Sequence, residues 1–318
     1  MKFGKHLVFA LAMAAVVAVA LPARAAQLDT DARSAIPHDV QQLIVVDYGV
    51  MENSSAAMDL KARILPPELK QLESALKTSG LDENHDIDQL AFAAYRVAGS
   101  DNVRIVGLAQ GQFQVSEIMA TLQKKKVKAT AVRNNKLYPM GASGMLVTFL
   151  NPTTMLFGSS DDIKPALDCR DGLAPSFLTN QDMLAAMQKV ESAPIWSILD
   201  QKGTQYMMHS LLGQASQLGD YETVRKRLLS SSYTMDFNNG VKFNLYVLTS
   251  DTFTAATMSS LLNAAAMYEK VSGNPMEKQA IDATTIDSSA GTLSVRFAAS
   301  DSQFSALLQS PLFQNVVR

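Results

Sequence analysis

Tyr233-Thr234-Met235-Asp236-Phe237-Asn238-Asn239-Gly240-Val241-Lys242-Phe243-Asn244-Leu245-Tyr246-Val247-Leu248 decides the fold class. Two β-type runs flank Asn-Asn-Gly, and Asn-Gly accepts the positive φ angles that a tight hairpin demands. A hairpin forces its strands antiparallel. The downstream chain repeats the device, with runs at 280–287 and 292–298 meeting around Ser288-Ser289-Ala290-Gly291. Between the two hairpins, Ser250-Asp251 caps a helix that runs through Lys270. Upstream, residues 194–199 read as a strand and 204–218 as a helix, so a strand and a helix lead into the hairpin.

The first half of the chain carries the same order. Residues 43–48 form a short apolar run suited to a buried strand, and helical spacing covers 54–78, broken at Pro66-Pro67. Strands at 89–97 and 103–110 follow, with a turn at Gly99-Ser100-Asp101-Asn102. A helix over 115–125 comes next, then β-type runs at 128–133 with 137–138, at 145–150 and at 154–157. Phe157-Gly158-Ser159-Ser160-Asp161 and Phe297-Ala298-Ala299-Ser300-Asp301 end their halves alike, an apolar run stopping at Ser-Asp as a helix begins. Val103 aligns with Val241 and Leu122 with Leu261 in the same order. Offsets of 138, 139 and 140 residues in one order predict duplication. The expectation is an α+β protein of two related β-α-β-β-α-β-β-α halves, mostly antiparallel sheets with helices packed on one face.

The ends and joints divide as follows. Lys2 and Lys5 precede an apolar run at 7–21, and Ala23-Arg24-Ala25 gives the small-x-small pattern of a cleaved signal peptide, placed at 1–25. Fifteen apolar residues fall short of the roughly 20 that span a bilayer. Residues 26–38 read as a flexible mature N-terminus, 39–172 as the first repeat, 173–192 as a connector with a helix, and 193–318 as the second repeat. Export implies a periplasmic or extracellular protein with no transmembrane helix after cleavage.

Composition narrows the function classes. The 318 residues hold 28 basic and 30 acidic side chains. Removing 1–25 leaves 25 basic against 30 acidic residues, a formal charge of −5. Such a balance argues against nucleic acid as a partner, which demands concentrated Lys and Arg. Cys169 is the sole cysteine, so stability rests on the core with no intramolecular disulfide. It reads as a small semi-buried residue. Trp196, the sole tryptophan, reads as an anchor of the second core.

Motifs for chemistry are sparse. Asp82-Glu83-Asn84-His85-Asp86-Ile87-Asp88 places oxygen ligands at Asp82, Asn84, Asp86 and Asp88, the spacing that opens a calcium loop. Ile87 stands where such a loop needs glycine and Ala93 where it needs a bidentate glutamate, so the set is a candidate site and a polar helix-to-strand turn is the plainer reading. His38, His85 and His209 are isolated, which leaves zinc without a ligand cluster. Ser74-x-x-Lys77 and Ser100-Asp101-Asn102 lack the Lys-Thr-Gly that completes the serine-enzyme set. Gly141-Ala142-Ser143-Gly144 is one residue short of a nucleophile elbow, and no dinucleotide or phosphate-loop fingerprint occurs. No catalytic residue and no cofactor is assigned. Lys124, Lys125, Lys126, Lys128, Arg133 and Lys136 concentrate positive charge at one helix end, and Met183, Met187, Met207, Met208, Met258 and Met267 fall on helices.

Pro37-His38-Asp39, the apolar run at 43–47, Gly80-Leu81-Asp82 and Asp86-Ile87-Asp88 together resemble exported bacterial proteins of unknown function with a duplicated α+β body. The match covers residues 36–110, with the second half following more loosely, and it implies no catalytic residues. The sequence therefore predicts a non-catalytic binding or scaffolding protein whose partner is an envelope protein or an apolar ligand. The rival is a hydrolase-like periplasmic enzyme whose site is assembled from dispersed residues.

Overall fold

The computed structural model describes residues 27–64, 67–81, 83–97, 99–100, 102–141, 144–212 and 221–309. The signal segment, Asp82, Asp101, Ala142 and Ser143 lie outside them. In chain order the elements are α1 (Thr30–Ser34), β1 (Val40–Asp47), α2 (Tyr48–Glu52), α3 (Ser55–Ile64), α4 (Pro67–Thr78), α5 (Glu83–Asp86), β2 (Ile87–Arg96), β3 (Val103–Gly111), α6 (Val115–Lys124), β4 (Thr130–Val132), β5 (Asn135–Met140), β6 (Met145–Asn151), β7 (Thr154–Gly158) and α7 (Ser160–Arg170). A single 3-10 turn (Phe177–Thr179) leads into α8 (Gln181–Gln188). Then come β8 (Ile195–Leu199), α9 (Gln201–Leu212), α10 (Tyr221–Arg225), β9 (Leu228–Asp236), β10 (Val241–Thr249), α11 (Thr252–Ser272), α12 (Pro275–Asp282), β11 (Thr284–Ser289), β12 (Thr292–Ala299) and α13 (Asp301–Leu307).

Among the described residues the strands make one open sheet of 12, ordered β11-β12-β10-β9-β8-β1-β2-β3-β7-β6-β5-β4. Every pairing is antiparallel. The Asn-Gly turn behaves as its residues require, with Asn239 and Gly240 both at positive φ. The protein is thus α+β, built on antiparallel hairpins.

Registers reveal a regularity that strand order alone does not. One row of directly paired residues crosses eleven strands: Tyr138, Val147, Phe157, Gly107, Phe92, Ile44, Ser197, Tyr233, Leu245, Val295, Ile286. Tyr138 of β5 apart, five residues lie on each side of the Ile44↔Ser197 pairing, where β1 meets β8. Outward from that seam both sides run through a strand, a hairpin, and a return strand with its partner, in one connection order. Phe157 therefore stands in the row opposite Val295. Phe297 pairs two residues further along, with Phe243, so the two Phe-to-Ser-Asp stretches do not occupy matching places.

The helices that follow those stretches diverge too. Alternation assigns each strand residue to a face. Leu90, Phe92, Met155 and Phe157 share a front face with α4 and α6. Tyr233, Leu245, Val247, Leu293 and Val295 continue that face beneath α9 and α11. On the back, Leu43, Val45, Ala91, Ala93, Val106, Leu108 and Leu156 pack on Ile163 and Leu167 of α7 and on Met183 and Met187 of α8. α13 instead sits on the front, where Phe304 meets Phe237, Phe297 and Leu60 of α3. The sequence accounts for the difference: Ala91, Ala93 and Leu108 offer α7 an apolar floor, whereas the same face of β9 and β10 carries Ser232, Thr234 and Asn244.

Four expectations are corrected. Helices pack on both faces of the sheet and not on one, with α4, α6, α9 and α11 on the front and α7 and α8 on the back. Residues 27–38 are not loose: Asp29 caps α1, and Leu28, Ala32, Ala35 and Ile36 are buried in the back core because alanines let the turn approach the sheet closely. Trp196 belongs to that same core, beside Val45 of β1, and not to a separate second one. The run at 280–287 begins as the end of α12, because Asn274 and Glu277 form a capping box that starts a helix at Pro275.

Candidate functional site

Residues 83–88 of the acidic stretch form no concave loop. Glu83–Asp86 is one helical turn, Asp88 already lies in β2, and Asp82 is outside the described residues. A calcium loop needs glycine at its sixth position to turn sharply; Ile87, the residue there, enters the strand instead and is buried against the front core. Among the described residues, no three His, Cys, Asp or Glu side chains gather at metal-binding distance. His38 Nδ1 instead contacts the Thr179 hydroxyl at 2.9 Å, and His209 stacks on Tyr221 at 5.9 Å. Ser74 is on α4, and Ser100 is in the β2–β3 turn.

Two polar clusters hold the framework. Tyr48, buried after β1, accepts from Lys61, which also pairs with Glu73 at 2.8 Å. Burial works to lower the Lys61 pKa, but its hydrogen bonds to Glu73 and Tyr48 outweigh that and raise it. A lysine held charged is a strut, not a base or nucleophile. At the seam, burial raises the Tyr233 hydroxyl, and hydrogen bonds to Ser197 and Gln42 oppose it. Cys169 is buried, and its thiol donates to the Pro175 carbonyl at 3.3 Å. Burial, with Asp168 adding to it, pushes its pKa up to about 11.

The feature that can receive a ligand lies at the β6 side of the sheet. β5 pairs with β6 only from Tyr138↔Val147 to Met140↔Met145. Before Tyr138 it turns away to pair with β4. Two anchors draw the hairpin toward α7: Arg133 pairs with Asp168, and Arg170 Nη1 donates to Asn135 Oδ1 at 3.0 Å. Leu137, fully buried, joins the back core. Among the described residues, the strand edge of β6 beyond Val147 is left without a neighbour strand, and a cavity of about 630 Å³ opens beside it.

One wall is α6, where Val115, Met119 and Gln123 recur at helical spacing. Tyr138 and Phe149 supply aromatic surface, the latter braced edge-on by Phe113 at 5.5 Å. Asn134, Asn135 and Lys136 line the hairpin side. A guanidinium only donates, so Arg170 fixes the Asn135 amide with its oxygen toward α7 and its NH₂ the other way. That Nδ2 is buried, with no hydrogen-bond partner among the described residues. Leaving that buried donor unpaired costs about 1–3 kcal/mol.

The lysine-rich run is dispersed by the fold. Lys125 donates to the Thr78 carbonyl at 2.5 Å, Arg133 serves the hairpin anchor, and Lys136 alone of the six lines the cavity. None of the cavity residues except Lys136 stood out in the sequence. The signal that could have found them is the break between the β-type runs at 128–133 and 137–138, where the chain folds back on itself at Arg133 with positive φ.

No family model and no curated protein matches the chain. Solved structures do. Crystal form III of TP0453 superposes with a TM-score of 0.51 at 11% identity, over 89% of this chain and 98% of that one. Crystal form I gives 0.49 at 10% identity, over 89% and 97%. Identity this low speaks to the fold alone: the chain shares the α+β architecture of TP0453.

Proposed function

We propose that the protein is an exported, non-catalytic binding protein whose ligand occupies the cavity between α6, β6 and the β4–β5 hairpin. The observation that carries this reading is the cavity of about 630 Å³ itself, walled by Val115, Met119, Tyr138 and Phe149 and by Asn134, Asn135 and Lys136. That volume falls in the range of small-ligand sites, and apolar and polar side chains share the wall. The enzyme alternative lacks a comparable observation, since a site for acid–base or nucleophilic chemistry needs convergent groups with tuned pKa values.

Export rests on the Lys2/Lys5, apolar and Ala23-Arg24-Ala25 pattern, and places the protein in the periplasm or outside the cell. We read the symmetric register row about Ile44↔Ser197 as the mark of an internal duplication, with the cavity arising where the first copy gained the β4–β5 hairpin.

Native mass spectrometry of the mature chain released from its envelope tests the site. The wild-type chain should begin at Ala26 and carry a bound mass. Met119→Trp, which fills the cavity, should lose that mass with an unchanged melting temperature. A wild-type chain at its bare mass, or a bound mass indifferent to Met119→Trp, would overturn the reading.

A further inference from the structure

We propose that α11 is the contact surface for a second copy of this chain, packed antiparallel on its own α11 about a two-fold axis near Leu262. Three observations converge on it.

The first is the helix's composition. From Thr252 to Tyr268 it runs 17 residues without a charged side chain. A helix at a protein surface normally turns charged and polar residues toward solvent, and one apolar all round is a buried helix. α11 buries one side only, with Ala255, Met258 and Leu262. On the opposite side Phe253, Ala256, Ser260, Ala264, Met267 and Val271 recur at three- and four-residue intervals. All six are exposed, Phe253 at 73%, Met267 at 71% and Val271 at 83%. The polar donors along this side are satisfied within the helix. Thr257 Oγ1 donates to the Phe253 carbonyl at 2.9 Å, Ser260 Oγ to the Ala256 carbonyl at 3.0 Å and Asn263 Nδ2 to the Ser259 carbonyl at 2.9 Å. Donors paired in this way leave water at little cost.

The second is area. A helix of 21 residues is about 30 Å long. Phe253, Met267 and Val271 leave on the order of 400 Å² of side chain in water, a size at which an apolar patch marks an interaction site. With the smaller exposed side chains between them, the face approaches without exceeding the roughly 800 Å² that each partner gives a standard interface. A contact of that size is reversible, dissociating in the micromolar range.

The third is shape. Ala256, Ser260 and Ala264 keep the middle of the face small, and the large side chains stand toward its ends. An antiparallel copy with its axis at Leu262 sets Phe253 against Val271 of the second copy, Thr257 against its Met267 and Ser260 against its Ala264. Each contact then occurs twice, as two-fold symmetry requires. The small middle lets the helices approach closely, because interaxial distance follows the side chains at the crossing. A lipid surface is the poorer occupant. It gains little from a waist of alanine and serine, and the one cation of α11, Lys270, is paired with Asp282.

Sedimentation equilibrium of the mature chain, loaded across the micromolar range, reads the dimer directly. The average mass should rise with loading from one chain toward two. Val271→Glu, at an exposed position, should hold it at one chain throughout with unchanged far-UV ellipticity. Oxidative crosslinking reads the register, since Cys169 is buried. Ser260→Cys chains mixed with Ala264→Cys chains should join to each other severalfold faster than either joins to itself.

A mass of one chain at every loading, a dimer that persists in Val271→Glu, or faster crosslinking of like with like overturns the inference. So does a single chain that floats with vesicles of phosphatidylglycerol and phosphatidylethanolamine when Val271→Glu does not, an outcome that would assign the face to lipid.

Discussion

Cys169 shows how environment decides what a residue can do. Its thiol faces the Pro175 carbonyl in a buried site, and its pKa is pushed up to about 11. At pH 8 only about one thiol in a thousand is then thiolate, and the thiolate is the reacting form. Iodoacetamide should therefore modify the native chain at pH 8 at least a hundredfold more slowly than the chain in 6 M guanidinium; comparable rates would show that the site opens readily. The sequence reading of Cys169 as a small semi-buried residue near a helix end agrees with its burial. No sequence feature marks Gly107, whose importance is wholly tertiary. A β-carbon there would lie 2.0 Å from the Phe157 ring, which crosses the strand edge-on to Phe92 at 5.8 Å. Asn135 belongs with Gly107. An asparagine in a basic hairpin reads as a turn residue, and only Arg170, 35 positions later, turns its NH₂ into an unpaired donor.

Elements written in local chemistry were legible; those set by distant contacts were not. The strand pairs, the helix break before Pro67 and the Asn-Gly turn all follow from propensity and turn geometry. Both Ser-Asp caps are real in kind, yet the capping residue of α7 is Ser159, with Asp162 closing the box, while Ser300 and Gln303 do the same for α13. Adjacent serines made the choice invisible in sequence, because either can accept from the first turn. Ser159→Ala and Ser300→Ala should each cost about 1 kcal/mol in urea unfolding. Ser160→Ala, inside the helix, should cost a few tenths at most, since alanine is the better helix former. A larger loss at Ser160 than at Ser159 would reverse the assignment. The helices' opposite faces, and the hairpin that peels β5 from β6, depend on what floor lies beneath: Ala91, Ala93 and Leu108 for α7, and Leu137 drawn into the same core. No local period records such choices.

At the scale of the molecule, the seam decides whether two halves make one cooperative body. β1 and β8 pair over five residues, and the back core passes across them without interruption, from Leu43, Val45 and Ala91 to Trp196 and Ile198. The front is tied as well, because α3 of the first half packs on Phe304 of α13 at the chain's far end. Separating the halves would expose a fully buried tryptophan, two strand edges and both sides of that helix contact. Burying one large side chain contributes about 1.5–3 kcal/mol, and an interior strand edge adds unpaired backbone groups to the cost. Neither half keeps its core alone, so partial unfolding has no stable product, and the chain should unfold in one step despite a length at which intermediates are common. Trp196 makes the test direct: as the sole tryptophan its fluorescence reports the seam, whereas far-UV ellipticity reports all the helices and strands. The two urea curves should superimpose with one midpoint. If ellipticity persists after the Trp196 signal is lost, the seam is an interface between independent units, and the symmetric row through Ile44 and Ser197 joins two domains instead of running through the middle of one.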